Sequence, residues 1–181
     1  MKTLLVGFKK YATHKVNPSE DVLALIDSKD IRKVILDVSY QKAKGILEII
    51  EEEKPDFIIT LNLSPFRKVP AIEEYAYNEM NSVQPDEDGV TKLGEEIIPG
   101  GSKSLNCSLD IPTIRQYVST QGQSLSVSID PGRFVCNEVS YLVRSTNIPS
   151  VSLHIPLAKD FPLDEEKEII EILIDYYKAT H

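Results

Sequence analysis

Ser124-Leu-Ser-Val-Ser-Ile-Asp-Pro-Gly-Arg-Phe-Val-Cys-Asn-Glu-Val-Ser-Tyr-Leu-Val143 holds the transition that decides the fold. Leu125 to Ile129 has the pattern of a short core strand, and Asp130-Pro-Gly132 is turn chemistry. Beyond it the apolar spacing becomes helical. Strand, tight turn and helix form the unit from which α/β sheets are built. The thiol of Cys136 falls in the first turn of that helix. N–H groups there have no intrahelical acceptor, and the positive end of the dipole favours thiolate over thiol.

The same alternation extends in both directions. Met1 to Phe8 reads as a buried first strand ending near Gly7, followed by a polar loop over Lys9 to Val16. Asn17 or Ser19 can cap a helix from about Pro18 to Ile26, with Pro18 suited to its first turn. Ile31 to Val38 is a second strand, whose Arg32 and Lys33 suit a sheet edge. Ala43, Ile46, Leu47, Ile49 and Ile50 form a helical stripe within Tyr40 to Glu53. Phe57 to Leu61 suits a strand covered on both faces. Residues 71–80 are extended, and 82–104, rich in Pro, Gly, Asp and Glu, form a long loop of the kind that carries function. After the helix at Ile111 to Thr120 and the opening strand–turn–helix come a strand at 149–155 and a helix at 164–179 capped by Asp164. The expectation is one three-layer α/β/α domain over residues 1–181 with a mostly parallel, mixed central sheet.

Composition narrows the function. The 181 residues carry a formal net charge of -8 with no basic block, which argues against nucleic-acid binding. No apolar run is long enough for a membrane span or a signal peptide, so a soluble cytoplasmic protein is expected. Two cysteines, Cys107 and Cys136, make no disulfide framework, and no spacing suggests a metal site. No cofactor motif is present; in particular there is no Gly-rich phosphate loop.

A nucleophilic thiol needs a base, and a third group to orient that base. Of His14, His154 and His181, His154 lies near the C-terminal end of a strand, where α/β sheets place their sites. It is the best partner for Cys136. The same residues also fit a plainer account: a cysteine among apolar neighbours is commonly a core residue, and a strand-end histidine a structural hydrogen-bonder.

Ordered segments tip that balance. Arg133-Phe-Val-Cys-Asn137, Leu153-His-Ile-Pro156 and Glu73-Glu-Tyr-Ala-Tyr-Asn78, with Gly7-Phe8 and Asn17-Pro-Ser-Glu20 near the start, together resemble the pyroglutamyl peptidase I family of cysteine peptidases. The resemblance implies Cys136 as nucleophile, His154 as general base and Glu73 as the carboxylate that orients it. It further implies an apolar lactam pocket walled by Phe8 and Tyr11 with Asn17 beside them, a peptide or small amide substrate ending in 5-oxoproline, no cofactor, and self-association to a homodimer or homotetramer.

The chain departs from the family pattern in places. Lys9-Lys-Tyr-Ala-Thr13 lacks the proline and last two glycines of the first loop. Val83 replaces an arginine, for which Arg67 or Arg133 could compensate, and Asn62, Pro65 and Phe66 replace glycines. These departures motivate a second reading: a divergent homologue that keeps the fold and binds a ligand or partner without catalysis.

Overall fold

The computed structural model describes residues 1–11 and 16–181. Ala12, Thr13 and His14, part of the altered first loop, lie outside the described residues. The remaining chain builds a six-stranded sheet in the order β2-β1-β3-β10-β4-β9, covered by helices on both faces. The strands are β1 (Thr3–Phe8), β2 (Ile31–Leu36), β3 (Phe57–Leu63), β4 (Ala71–Glu73), β9 (Ser126–Ser128) and β10 (Ser150–Ile155). The first four in that order run parallel. β4 runs antiparallel to β10 and parallel to β9, so the sheet is mixed.

Side-chain alternation divides the core. Leu5, Ile59, Leu61, Val151, Leu153 and Ile155 pack under α1 (Pro18–Leu25), α3 (Ile111–Thr120) and α5 (Leu163–Thr180). Leu4, Val6, Phe8 and Ile58 face α2 (Ile46–Glu53) and α4 (Val135–Ser145). Each such side chain taken fully from water contributes about 1.5–3 kcal/mol. On the α4 face, however, the strand positions toward the C-terminal end turn polar: Thr60, Asn62, Ser152 and His154 are all buried. That polar stripe, set in an apolar sheet, marks the functional end.

Local chemistry explains the elements and the places where they differ from expectation. Asn17 caps α1, its side-chain oxygen accepting from the Ser19 N–H at 3.1 Å, and Pro18 opens the helix. The stripe over Tyr40 to Glu53 does not form one helix. Asp86 takes the Tyr40 N–H and Ser39 takes the Lys42 N–H, so a 3-10 turn at Ala43–Gly45 precedes α2. Asp164 does not cap α5; Pro162 holds that position with no side-chain bond, and Asp164 lies in the first turn, where its charge meets the dipole.

The strand at 125–129 is shorter and lies at the sheet edge rather than in its centre, leaving Ile129 64% exposed. β2 occupies the opposite edge, as its charges suggest. Residues 71–80 split into β4, β5 (Tyr75–Tyr77) and β6 (Met80–Ser82). The stretch 82–104 is more ordered than its composition suggests: β7 (Lys92–Glu95) pairs with β6, and β8 (Ser104–Asn106) pairs with β5, closing an excursion from the sheet.

Candidate active site

Three elements bring their side chains together at the C-terminal end of β10. Glu73 ends β4, Cys136 is the second residue of α4, and His154 is the penultimate residue of β10. The Cys136 Sγ lies 3.8 Å from His154 Nε2, and His154 Nδ1 lies 2.6 Å from Glu73 Oε1. The antiparallel course of β4 matters here. Ala71 pairs with His154 and Ile72 with Leu153, so Glu73 sits deeper in the sheet and meets the inner ring nitrogen. The helix delivers the sulfur to the outer one. Glu73 is fully buried and His154 nearly so, while Cys136 remains partly accessible.

Burial pushes the imidazole toward its neutral form, but hydrogen bonding and charge from Cys136 and Glu73 outweigh it and carry the pKa up to about 9. The two neighbours thus favour the imidazolium, the form the ring adopts once it has accepted a proton. Cys107 is different. It is half-buried near α3, its sulfur 3.7 Å from the Ser150 carbonyl oxygen, and burial pushes its thiol up.

A second tier holds these groups in place. Asn137, next to the thiol, accepts from the Tyr77 N–H at 2.9 Å and donates to the carbonyls of Tyr77 and Glu79 at 2.8 and 3.0 Å. Arg144, two turns along, donates to the carbonyls of Glu73, Glu74 and Leu105 at 2.7–3.0 Å. Ser152 and Ser140 join β10 to α4 through a 2.9 Å hydroxyl pair. Only the Cys-Asn pairing in the sequence hints at the first of these; the partners of Arg144 and Ser140 are distant in the chain.

Of the cations proposed to replace the arginine at Val83, Arg67 comes close: its Nη2 is 3.7 Å from Glu73 Oε1. Arg133 is engaged elsewhere, with Glu79 and Asp130 and stacked over Tyr77. Val83 itself is 87% exposed. Among the described residues no cluster of His, Cys, Asp and Glu is placed to hold a metal ion.

The thiol opens onto a cavity of about 520 Å³. Phe8, Tyr11 and Asn17, the residues expected to meet substrate, all line it, together with Phe134, Asn62 and Phe66. Phe134 packs against Tyr11 and Tyr40 with ring centroids 5.7 Å apart in both cases. Asn17 contributes less polar capacity than its position suggests. Its oxygen serves Ser19, and its Nδ2 donates to the Lys9 carbonyl.

Comparison with known proteins places the chain in a family. The sequence model of a family described as pyroglutamyl peptidase matches residues 1–158. A pyrrolidone-carboxylate peptidase of Pyrococcus furiosus is 32% identical over 168 residues, covering 90% of this chain and 76% of the relative. One from Aliivibrio fischeri is 25% identical over 181 residues, covering 94% and 85%. Among solved structures, a mutant pyrrolidone carboxyl peptidase from P. furiosus superposes with a TM-score of 0.90 at 27% identity over 99% of both chains. The pyrrolidone carboxyl peptidase of Thermus thermophilus gives 0.85 at 26%, covering 94% of this chain and 97% of that one. The chain belongs to the pyroglutamyl peptidase family of cysteine peptidases.

Proposed function

We propose that this chain removes N-terminal pyroglutamate (5-oxoproline) from peptides, with Cys136 as nucleophile, His154 as proton carrier and Glu73 as its orienting carboxylate. The observation that carries the reading is the unbroken relay from Cys136 Sγ through both nitrogens of His154 to Glu73, opening onto the cavity. His154 takes the thiol proton, and Glu73 fixes the ring and balances the imidazolium. The thiolate attacks the carbonyl that joins the 5-oxoprolyl group to the next residue. The C–N bond breaks as His154 delivers its proton to the leaving amine. Water, deprotonated by His154, then cleaves the thioester to release free 5-oxoproline and restore the thiol. The Cys136 N–H belongs to a first turn without intrahelical acceptors, which suits it to receive the developing oxyanion.

Residues 1–181 act as one domain in this reading, since α5, which lies beyond the matched residues, buries Ile169, Ile170 and Leu173 in the same core. Both cysteines are free, which suits the reducing cytoplasm. The test is hydrolysis of a pyroglutamyl chromogenic amide by the wild type and by Cys136→Ala. Turnover that vanishes in the variant is expected. No Cys136-dependent turnover on any pyroglutamyl amide would sink the peptidase reading and favour a binding protein.

A further inference from the structure

Asn62 is 1% exposed and lines the cavity, yet among the described residues neither its Oδ1 nor its Nδ2 has a hydrogen-bond partner. Buried amide atoms are almost always paired, because leaving a desolvated donor or acceptor empty is costly. Here both halves of one carboxamide are empty together. The residue stands on the same rung as His154, Cα partner to Cα partner on adjacent parallel strands, so the two side chains leave the same face of the sheet. An unpaired donor and an unpaired acceptor therefore sit side by side, next to the proposed base, in the wall of the cavity onto which the nucleophile opens.

What fills such a site must present a donor and an acceptor in matching order. A neutral group suits it, because among the described residues no Asp, Glu, Lys or Arg lines the cavity. A cis-amide has this edge: N–H and C=O on the same side of the C–N bond, pairing with a primary carboxamide through two antiparallel hydrogen bonds. Ring closure fixes the amide of a lactam as cis. We propose that Asn62 reads the lactam edge of the substrate's 5-oxoprolyl ring, its Oδ1 accepting the ring N–H and its Nδ2 donating to the ring carbonyl. The inference rests on the pyroglutamyl peptidase reading and gives it a specificity residue, at a position where the family pattern has glycine. An oxyanion contact would occupy Nδ2 alone and leave Oδ1 buried and empty. Asn17, the other carboxamide of the cavity, is already bonded to Ser19 and Lys9.

The test has two arms. In the first, wild type and Asn62→Leu are assayed on a pyroglutamyl chromogenic amide, with the iodoacetamide alkylation rate of Cys136 measured alongside. Removing both bonds from a site built to receive them is expected to lower kcat/KM by roughly 10²- to 10³-fold, mostly through KM, with alkylation unchanged. In the second, 2-pyrrolidone, N-methyl-2-pyrrolidone and cyclopentanone compete with iodoacetamide on the wild type, which removes any dependence on how the variant folds. 2-Pyrrolidone is expected to protect at least about tenfold better than either analogue, each of which lacks half of the edge. Equal protection by all three, or an Asn62→Leu variant within twofold of wild-type kcat/KM, overturns the assignment. A wild type that hydrolyses no pyroglutamyl amide but still prefers 2-pyrrolidone would remove the peptidase reading and leave lactam recognition standing.

Discussion

His154 is pulled in opposite directions by burial and by its two neighbours, and the neighbours prevail. Its pKa of about 9 lies above the value of about 6.5 for a free imidazole, so its contribution to stability is fully present below about pH 6.5 and is lost as pH rises through about 9. The same proton serves the leaving amine. Catalysis should therefore fall on an alkaline limb near pH 9, and Glu73→Gln should move that limb downward while cutting kcat by about 10²- to 10⁴-fold. A pH–rate profile of the two proteins checks this; an unmoved limb would separate Glu73 from the imidazole. Thiol chemistry gives a second expectation. Cys136 faces a cavity and an imidazole, whereas burial holds Cys107 in its protonated form, so iodoacetamide with peptide mapping at pH 7 should label Cys136 first. Equal labelling would contradict it. At this scale Cys136 and His154 were legible because each ends a recognisable element, and Glu73 by resemblance alone. Asn62 was visible only as a departure from the family's glycine. Its meaning needed the register that sets it beside His154.

Helix α4 works as a connector as well as a carrier of the thiol. Asn137, Tyr141 and Arg144 recur at i, i+4 and i+7, so they form one polar stripe, and each reaches backbone of the excursion between β4 and α3. Tyr141 donates to the Ser102 carbonyl at 2.7 Å, and a Cβ added at Gly101 would meet the Tyr141 oxygen at 2.8 Å, so only glycine allows the chain so close. Asn137→Ala should strand the Tyr77 N–H and two carbonyls. We expect a loss of about 2–4 kcal/mol by denaturant titration. A loss below about 0.5 kcal/mol would mean that the stripe does not hold the excursion. The long regular elements were readable from sequence because their periodicity and caps are local. The excursion was not, since its strands are three or four residues long and depend on partners well separated in the chain. The same holds for the split of Tyr40 to Glu53, where Asp86 supplies the competing bond.

Across the described residues, two buried carboxyls outside the proposed chemistry have no partner on either oxygen. Burial pushes Glu166, on α5, up to about 8. Glu138, on α4, is pushed up to about 7 by burial, against the pull of Lys44 and Lys92. Among the described residues neither has a hydrogen-bond partner. Both are held protonated by the fold relative to the free value near 4.5, so each erodes stability as pH rises from about 4.5 to its raised pKa. Tm should fall across pH 5–8, and Glu166→Gln should flatten that slope without changing kcat; an unchanged slope would show that Glu166 is hydrated. The stripe on α4 also has a consequence for how the protein comes apart. Residues 74–106 are fastened to the remainder along that helix and also through Asp86 to Tyr40, Glu87 and Asp88 to Lys42 and Glu79 to Arg133, so the chain on either side of this stretch has its own anchors. A protease nick in the exposed stretch 87–90 should then leave two fragments that travel together and still turn over substrate, so the gene could be split there into two complementing halves.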